Sequence, residues 1–412
     1  MLIDTLLSIA AAAGLLTALY WGAVACHAVR TWWSIPTLRA GLKTDAGFQP
    51  PRVCVIVPAH NEEACIGTVA ASLLGQDYPA DRLSMVFVLD RCSDETRAAL
   101  DAALGGAAGG GGGRATIIEI DHCPEGWAGK VHALWRAVSD SPAAREADVL
   151  LFLDADTMME SSCIRAAAGL MRSRGLGMLS VLSTLTSDQW FERVVQPAAG
   201  MELVRMFPLR RTNWPTQQRP FANGQFIMID RAAYLGFGGH EAVRQYVLED
   251  VELARAADRA GVRLGVVLAD GLLHCRMYGT WADFRRGWTR IFTESANRKV
   301  SRLVRIAWRK RLVSTLLPLA GAMGLLAGAA ALATGQRSEP ALWALRFGAA
   351  GTLVYVSTLV LCMKLGRTPL RSAAVFPIGA WMVSDILLGC ARSLRAGKPI
   401  EWAGRVYSRE AR

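Results

Sequence analysis

Long apolar runs lie near both ends of the chain and enclose a middle region of different character. The first run covers about residues 5–29, which is enough to cross a bilayer at roughly 20 apolar residues per crossing. A signal peptide is the alternative, but the run is long and no basic segment precedes it. We therefore expect an uncleaved anchor over residues 1–30, and Arg30 and Arg39 place the following domain in the cytosol.

Three more apolar runs follow, at about residues 312–334, 341–363 and 373–390. If all three crossed the bilayer, the basic tail at residues 392–412 would lie outside the cytosol despite its six Lys and Arg residues, against the positive-inside rule. A third segment that is re-entrant or lies on the membrane surface would remove this conflict, and Pro377 makes it the first candidate. The pattern thus predicts one N-terminal and two to three C-terminal membrane helices, the latter within residues 312–391.

The middle region, residues 50–275, alternates short apolar runs with helix-like stretches. The predicted strands are Val53–Val57, Met85–Leu89, Ala115–Ile120 and Val149–Leu153, and the predicted helices include Glu62–Leu74 and Lys130–Val138. Such alternation favours an α/β domain with a mostly parallel sheet. The glycine-rich stretch Gly105–Gly113 is interpreted as a flexible loop without chemistry.

Composition supports a membrane protein. Hydrophobic residues make up 52% of the chain and charged residues 20%, with a mean hydropathy of +0.24, which is too apolar for an ordinary soluble enzyme. The nine cysteines form no C-x-x-C pair. Reduced thiols on a cytosolic face fit this better than a zinc knuckle or a disulfide framework.

The net charge of +11 is concentrated between Arg285 and Arg311, a stretch that contains ten Lys and Arg residues and one acidic residue, Glu294. Nucleic acid could bind such a run, but the run ends at an apolar segment. Positive-inside topology beside an anionic lipid surface explains it better. We expect basic amphipathic interfacial helices over residues 276–311, no nucleic-acid partner, and a multi-pass protein of the inner (cytoplasmic) membrane.

Two carboxylates follow the fourth predicted strand, in Asp154-Ala155-Asp156. In extended chain, residues two apart point the same way, and the carboxyl ends of strands are where open α/β sheets bind ligands. Two such oxygen donors could hold Mg²⁺ or Mn²⁺ while diphosphate oxygens fill other positions. A solvated turn is the alternative.

Other polar groups come to the same predicted rim. The first strand leads into Pro58–Glu63 and the second into Asp90–Asp94, while Gly126–Lys130 opens a helix. A lysine near a helix N-terminus suits a phosphate, although Lys130 could simply be exposed. Further on, Asp250 begins another predicted helix as an N-cap or, alternatively, acts as a general base.

The order of these motifs is recognisable. P-A-H-N-E-E, V-L-D-R-C-S-D-E-T, G-W-A-G-K, D-A-D, A-N-G-Q and L-E-D together resemble the plan of family 2 glycosyltransferases with a GT-A (Rossmann-like) fold. The resemblance spans about residues 53–290. With its membrane flanks, the chain is similar to the lipid-directed branch, which includes ceramide, hopanoid and carotenoid glycosyltransferases.

The resemblance implies an inverting transfer from a nucleotide-sugar, which we expect to be a UDP-sugar, to a lipid acceptor. It implies that Asp156 and Asp154 hold Mg²⁺ or Mn²⁺. It also implies that Asp250 is the catalytic base, with Glu249 as the second catalytic residue. The residues that it implies for nucleotide-sugar binding are Ala59, Glu62, Asp90, Lys130, Asp154, Arg286 and Arg290.

One motif departs from the family. Many membrane members carry Q-x-x-R-W, whereas this chain has Arg285-Arg286-Gly287-Trp288-Thr289-Arg290, similar to the G-W-T-[RK] variant of carotenoid-type transferases. Trp288 is our candidate for acceptor contact. Its alternative is an anchor of an amphipathic interfacial helix, since Trp281, Phe284 and Ile291 share its helical spacing. Two other functions stay open, a nucleotidyltransferase that releases pyrophosphate and an inactive nucleotide-sugar-binding membrane protein.

Overall fold

A computed structural model describes residues 2–43, 48–105, 113–213, 219–246, 248–398, 400–402 and 405–407. Most of the glycine-rich stretch Gly105–Gly113 lies outside this range.

The strands are short and are numbered in chain order. They are β1 (Val53–Ala59), β2 (Leu83–Asp90), β3 (Ala115–Ile120), β4 (Val149–Leu153), β5 (Thr157–Met159), β6 (Met178–Leu182), β7 (Thr184–Leu185), β8 (Phe226–Asp230), β9 (Leu264–Leu268), β10 (Leu273–Cys275), β11 (Ile400–Trp402) and β12 (Arg405–Tyr407).

The helices flank the sheet and extend beyond it at both ends of the chain. They are α1 (Leu2–Ser34), α2 (Ile66–Leu74), α3 (Thr96–Leu104), α4 (Gly129–Asp140), α5 (Pro142–Glu146), α6 (Cys163–Arg174), α7 (Trp190–Val194), α8 (Gln196–Met206), α9 (Leu209–Thr212), α10 (Arg231–Gly236), α11 (Glu249–Arg259), α12 (Trp281–Ser295), α13 (Val300–Arg311), α14 (Leu317–Ala333), α15 (Glu339–Leu365) and α16 (Ser372–Arg395).

Seven strands form the central sheet in the order β3-β2-β1-β4-β8-β6-β9. Neighbouring strands are parallel except at β8, which is antiparallel to both β4 and β6. The prediction of a mostly parallel α/β sheet is confirmed. Short strands β5, β10 and β7 form a second sheet, so the Asp154–Asp156 segment connects the two sheets.

The central sheet is covered on both faces. In β1, Val53, Val55 and Val57 join one core cluster, whereas Cys54 and Ile56 join the other. Since both faces are buried, the strands are continuous apolar runs without polar alternation. These unbroken apolar runs make the strands of the central sheet recognisable in the sequence.

Among the described residues, four helices are long and apolar enough to cross a membrane, namely α1, the continuous Val300–Ala333 helix, α15 and α16. Glycines bring the first three together. A Cβ on Gly351 of α15 would lie 2.4 Å from the Gly14 carbonyl oxygen of α1, and one on Gly321 would lie 3.0 Å from the Gly14 Cα. Small residues of this kind let membrane helices pack at backbone contact.

Helix α16 has a different environment from the other three. A Cβ on Gly379 would lie 1.8 Å from the Val194 carbonyl oxygen of α7, and the Cys390 thiol lies 3.6 Å from the Thr289 carbonyl oxygen of α12. Pro377 lies inside this helix without breaking it. The structure therefore shows no re-entrant break at Pro377, and α16 packs as one helix along the catalytic domain.

Candidate active site

The predicted rim residues converge where β1, β2 and β4 end. Asp154 follows β4 directly and its backbone N–H donates to the Gln225 carbonyl at 3.3 Å. The loop before β8 therefore lies against the acidic segment. Strand pairing of β4 with β8 produces this contact, and the two segments are far apart in the sequence.

Lys130 connects three of the motifs. It lies in the first turn of α4, and its Nζ is 2.6 Å from Asp154 Oδ1 and 2.7 Å from Glu249 Oε1. Burial opposes the charge, but the two carboxylates outweigh it and raise the pKa of Lys130. Lys130 is therefore a fixed cation at the centre of the site. The alternative of a simply exposed lysine is wrong.

Asp156 has an excess of negative charge around it. Its Oδ1 is buried and has no hydrogen-bond partner among the described residues. Burial, Asp154 and Glu62 raise the pKa of Asp156 to about 8, although the Cys275 thiol opposes this shift. A buried oxygen without a partner beside two further carboxylates fits a divalent cation.

The protein supplies only part of a cation's shell. Within the described part of the chain, no group of three His, Cys, Asp or Glu side chains has a spacing that could hold a metal ion by itself. Oxygens of a bound diphosphate would have to complete the shell, as is usual for Mg²⁺. The residues present thus fit a metal that arrives with a phosphorylated substrate.

Glu62 borders the acidic segment from the β1 side. Its backbone N–H donates to Thr96 Oγ1 at 2.7 Å, which fixes the loop after Ala59. Burial and the charge of Asp154 raise the pKa of Glu62 to about 7. This carboxyl therefore titrates near neutral pH.

Asp250 is positioned by backbone groups. Helix α11 begins at Glu249 with Leu248 as its N-cap, so the N-cap alternative for Asp250 is wrong. Its Oδ2 accepts the Gly224 N–H at 2.9 Å and its Oδ1 accepts the Val251 N–H at 2.8 Å. Burial and then the Glu249 charge raise the pKa of Asp250 to about 6, a suitable value for a general base.

Gly224 is a site residue that the sequence analysis quoted but did not select. A Cβ at this position would lie 3.1 Å from Lys130 Nζ, 3.4 Å from Glu249 Oε1 and 3.5 Å from Asp250 Oδ2. Only a residue without a side chain lets the backbone approach three charged groups so closely. The signal for it in the sequence was the glycine of A-N-G-Q.

Asp90 lies at the end of β2 and is buried. Arg91 Nε and Nη2 donate to its two carboxylate oxygens, each at 2.8 Å. A Cβ on Gly129 would lie 2.9 Å from Arg91 Nη2, so the G-W-A-G-K glycine accommodates this pair. The predicted contact of Asp90 with a nucleotide would have to form beside Arg91.

Helix α12 carries three residues predicted to contact substrates, Arg286, Trp288 and Arg290, and not all of them lie at the active site. Arg290 lowers the pKa of Glu249 by its charge, a smaller influence than that of burial or Lys130. Arg286 is 72% exposed and pairs with Asp283 on the helix surface. Trp288 is only 2% exposed and packs between Phe284 and Phe292, whose rings are tilted against it at centroid distances of 5.9 Å and 5.0 Å.

The apolar face of α12 is therefore occupied by protein. Phe284, Trp288 and Phe292 share a core cluster with Phe376 and Leu387 of α16. An interfacial helix with this face in lipid is not what the structure shows, because α16 covers it. The geometry gives Trp288 a packing role and does not support its predicted contact with the acceptor.

A mostly parallel sheet with an acidic segment and a fixed lysine at its carboxyl rim is typical of GT-A glycosyltransferases. The family model "Glycosyltransferase like family 2" matches residues 50–300, and the chain belongs to that family. The match favours sugar transfer over the nucleotidyltransferase alternative.

Curated relatives carry a more specific name. The 4,4'-diaponeurosporenoate glycosyltransferase of Staphylococcus aureus strain N315 is 25% identical over 292 residues, which cover 68% of this chain and 70% of the relative. For strain MRSA252 the values are 25% over 258 residues, 60% and 63%. The match thus spans under two thirds of that second protein.

Solved structures give a weaker likeness. The mannosyltransferase PcManGT from Pyrobaculum calidifontis, in complex with GDP-Man and Mn²⁺, is 17% identical with a TM-score of 0.45, covering 92% of this chain and 98% of that one. S. aureus TarS 1–349 is 15% identical with a TM-score of 0.38, covering 87% and 96%. The fold assignment rests on the strand order and the family match.

Proposed function

We propose that this protein is an inverting, metal-dependent transferase that moves a sugar from a nucleotide-sugar, a UDP-sugar, to a membrane lipid. The observation that carries the proposal is the cluster of Lys130, Asp154, Asp156, Glu249 and Asp250 at one rim of the sheet. It combines a cation for phosphates, carboxylates for Mg²⁺ or Mn²⁺, and a separate carboxylate with a raised pKa.

Each group has a chemical role in this scheme. Asp250 takes the proton of the acceptor hydroxyl while that oxygen bonds to the anomeric carbon and the bond to the diphosphate oxygen breaks. Lys130 stabilises the negative charge that grows on the departing diphosphate. A divalent metal held by Asp156 and Asp154 would supply further charge neutralisation there.

We infer a carotenoid-class lipid acceptor from the relatives named diaponeurosporenoate glycosyltransferases and from the apolar helices. An acceptor dissolved in the bilayer needs a catalytic domain held at the membrane surface. We place that domain on the cytosolic side of the inner membrane, where nucleotide-sugars are made.

The test compares Asp250→Asn with Asp258→Asn, a change of the same kind on the same helix. Loss of the base should lower kcat by about a hundredfold or more, while the Kd for the donor changes little. Asp258→Asn should behave as wild type. To identify the donor, labelled UDP- and GDP-sugars are incubated with the protein and lipid extract, and the released nucleoside diphosphate is measured. A second test adds excess EDTA, which should stop turnover by removing the metal.

An unchanged kcat in Asp250→Asn would exclude Asp250 as the catalytic base. Full turnover in excess EDTA would exclude a metal-dependent mechanism.

A further inference from the structure

A large basic cavity lies outside the active site. It has a volume of about 870 Å³ and is formed by the end of α1, by the α8–α9 region and by α13. Seven of its eleven lining residues are arginines, another is His27, and none of the described lining residues is acidic. The arginines face one concavity instead of being spread over a convex surface.

The cavity lies at the ends of the apolar helices that face the catalytic domain. The Trp21 Nε1 of α1 donates to the Val313 carbonyl at 2.8 Å, which fixes the relative height of the two antiparallel helices. His27 lies six residues after Trp21, or roughly 9 Å closer to the catalytic domain at 1.5 Å per residue. Arg305 lies eight residues before Val313, or roughly 12 Å in the same direction.

Only part of this positive charge is neutralised. Glu202 is buried and pairs with Arg205 at 3.1 Å and with Arg309 at 2.5 Å. Four of the other five lining arginines, namely Arg211, Arg219, Arg302 and Arg305, have no carboxylate partner among the described residues. Like charges around one concavity repel each other, so an anion bound there would stabilise the arrangement.

Two exposed tryptophans lie on helices that contribute to the cavity, α1 and α13. Trp33 of α1 is 85% exposed and Trp308, next to Arg309, is 56% exposed. Tryptophan is enriched at the headgroup level of membranes because its ring is apolar and its N–H is polar. The surroundings of the cavity therefore suit a lipid headgroup with its acyl chains beside it.

We propose that this cavity binds the anionic headgroup of a membrane phospholipid. Arginine suits this ligand because its planar guanidinium donates two parallel hydrogen bonds to phosphate oxygens. The site is distinct from the acidic rim, where uncompensated carboxylates would repel a phosphate that carries no metal.

The cavity shares lining residues with a second cavity beside α11. Arg219 and Arg302 line a second cavity of about 340 Å³ together with Leu248 and Val251, the residues on either side of Glu249 and Asp250. A bound headgroup would thus contact residues that also line the cavity next to the start of α11.

The experiment measures lipid binding, so its outcome does not depend on the proposed reaction. Full-length protein in detergent is titrated with phosphatidylglycerol or phosphatidylcholine, and bound lipid is counted by native mass spectrometry. The cavity variant is Arg211→Gln with Arg305→Gln. Its matched control is Arg174→Gln with Arg259→Gln, which removes the same charge from the helix ends near the amino termini of β6 and β9.

We expect wild type to prefer phosphatidylglycerol, the cavity variant to lose about tenfold or more in that affinity, and the control to lose less than about twofold. Equal binding of the two lipids, or equal loss in both variants, would overturn the proposal. So would displacement of the lipid by equimolar glycerol 3-phosphate, because free phosphate would then be the ligand.

A photocrosslinking measurement on the wild type tests the same site without a variant, so it remains informative if the cavity variant does not fold. Phosphatidylglycerol with a photoreactive headgroup should crosslink to peptides that contain Arg211 or Arg305. Crosslinks only to peptides elsewhere, or retained lipid affinity with a raised KM for the acceptor in the cavity variant, would contradict a phospholipid site.

Discussion

Three of the rim carboxylates differ in what surrounds them. Glu249 has Lys130 at 2.7 Å, Asp156 has a buried oxygen without a partner among the described residues, and Asp250 is held by two backbone N–H groups. Different surroundings push the pKa values of neighbouring acids apart and so give them different roles. This separation is the basis for the proposed roles, in which Glu249 positions Lys130, Asp156 holds the metal and Asp250 accepts the proton.

The raised pKa of Asp250 predicts a pH dependence. The group must be deprotonated to accept a proton, and its pKa of about 6 means that the active form is lost as the pH falls through that value. Below about pH 6, kcat/KM should therefore drop about tenfold per pH unit, a profile that reports the free enzyme. Initial rates between pH 4.5 and 8 check this.

The residual activity of Asp250→Asn provides the control for that profile, since it should lack the acidic limb assigned to Asp250. If the variant kept the wild-type limb, another group would be responsible for it, and Glu62 with its pKa of about 7 would be examined next.

Gly224 gives a second prediction at this scale. An added methyl group would lie 3.1 Å from Lys130 Nζ, so Gly224→Ala should displace the lysine or the loop. Because a misplacement of about 1 Å can cost on the order of a hundredfold, we expect kcat to fall at least tenfold with little change in Tm. Steady-state kinetics and thermal unfolding check this.

Gly200→Ala is the matched control, because its Cβ would meet nothing within 4 Å. A loss of activity in both variants, or a normal kcat in Gly224→Ala, would contradict the role given to Gly224.

Among the elements, α1, α14 and α15 depend on close backbone contact. Gly14 faces both Gly321 and Gly351, so the three helices meet around a point that has no room for side chains. Between membrane helices the lipid provides no hydrophobic driving force, and close van der Waals packing takes its place.

Gly351→Ala should therefore destabilise the helix bundle, since its Cβ would lie 2.4 Å from the Gly14 carbonyl oxygen. Overpacking of this kind costs about 1–3 kcal/mol, and the Tm in detergent should fall by several degrees. Gly22→Ala on α1 is the control, because its nearest neighbour would be Val354 Cγ1 at 4.0 Å. An unchanged Tm in Gly351→Ala, measured by scanning fluorimetry, would refute tight packing at this point.

For the whole molecule, the position of α16 bears on the number of membrane crossings. Arg367, between α15 and α16, pairs with Asp270, which follows β9 of the catalytic sheet. Helix α15 thus returns to the catalytic domain. Along α16, Ser384 donates to the Ala307 carbonyl at 3.1 Å. The helix also contacts α7, α8 and α12, and its first turns meet residues 312–316, where Thr315 donates to the Pro377 carbonyl at 3.1 Å. We propose that α16 stays on the domain side and that three helices cross.

Three crossings predict opposite sides for two exposed positions. Gln336→Cys, between α14 and α15, should react with a membrane-impermeant thiol reagent in intact cells. Lys398→Cys, after α16, should react only after permeabilisation, because three crossings leave it in the cytosol with the catalytic domain. Labelling of Lys398→Cys from outside would establish a fourth crossing, and the parent chain supplies the background from native thiols.

Much of the catalytic domain follows from the sequence alone. Strands β1 to β4 were predicted because a strand buried on both faces needs an unbroken apolar run, and the polar motifs that follow them mark the rim where such sheets bind ligands. The long apolar segments were equally visible, since a bilayer sets a minimum length. These features depend on neighbours along the chain.

The remaining features depend on which distant segments meet. Pairing of β4 with β8 brings Gly224 to Lys130 and Asp250, and no local pattern encodes that distance. Helix α16 has the composition of a membrane span, yet contacts with α7, α12 and α13 hold it beside the catalytic domain. The basic cavity likewise takes its arginines from separate helices. Hydropathy along the chain determines whether a segment can form a buried strand or a membrane-length helix. Packing between distant segments decides which residues that segment contacts.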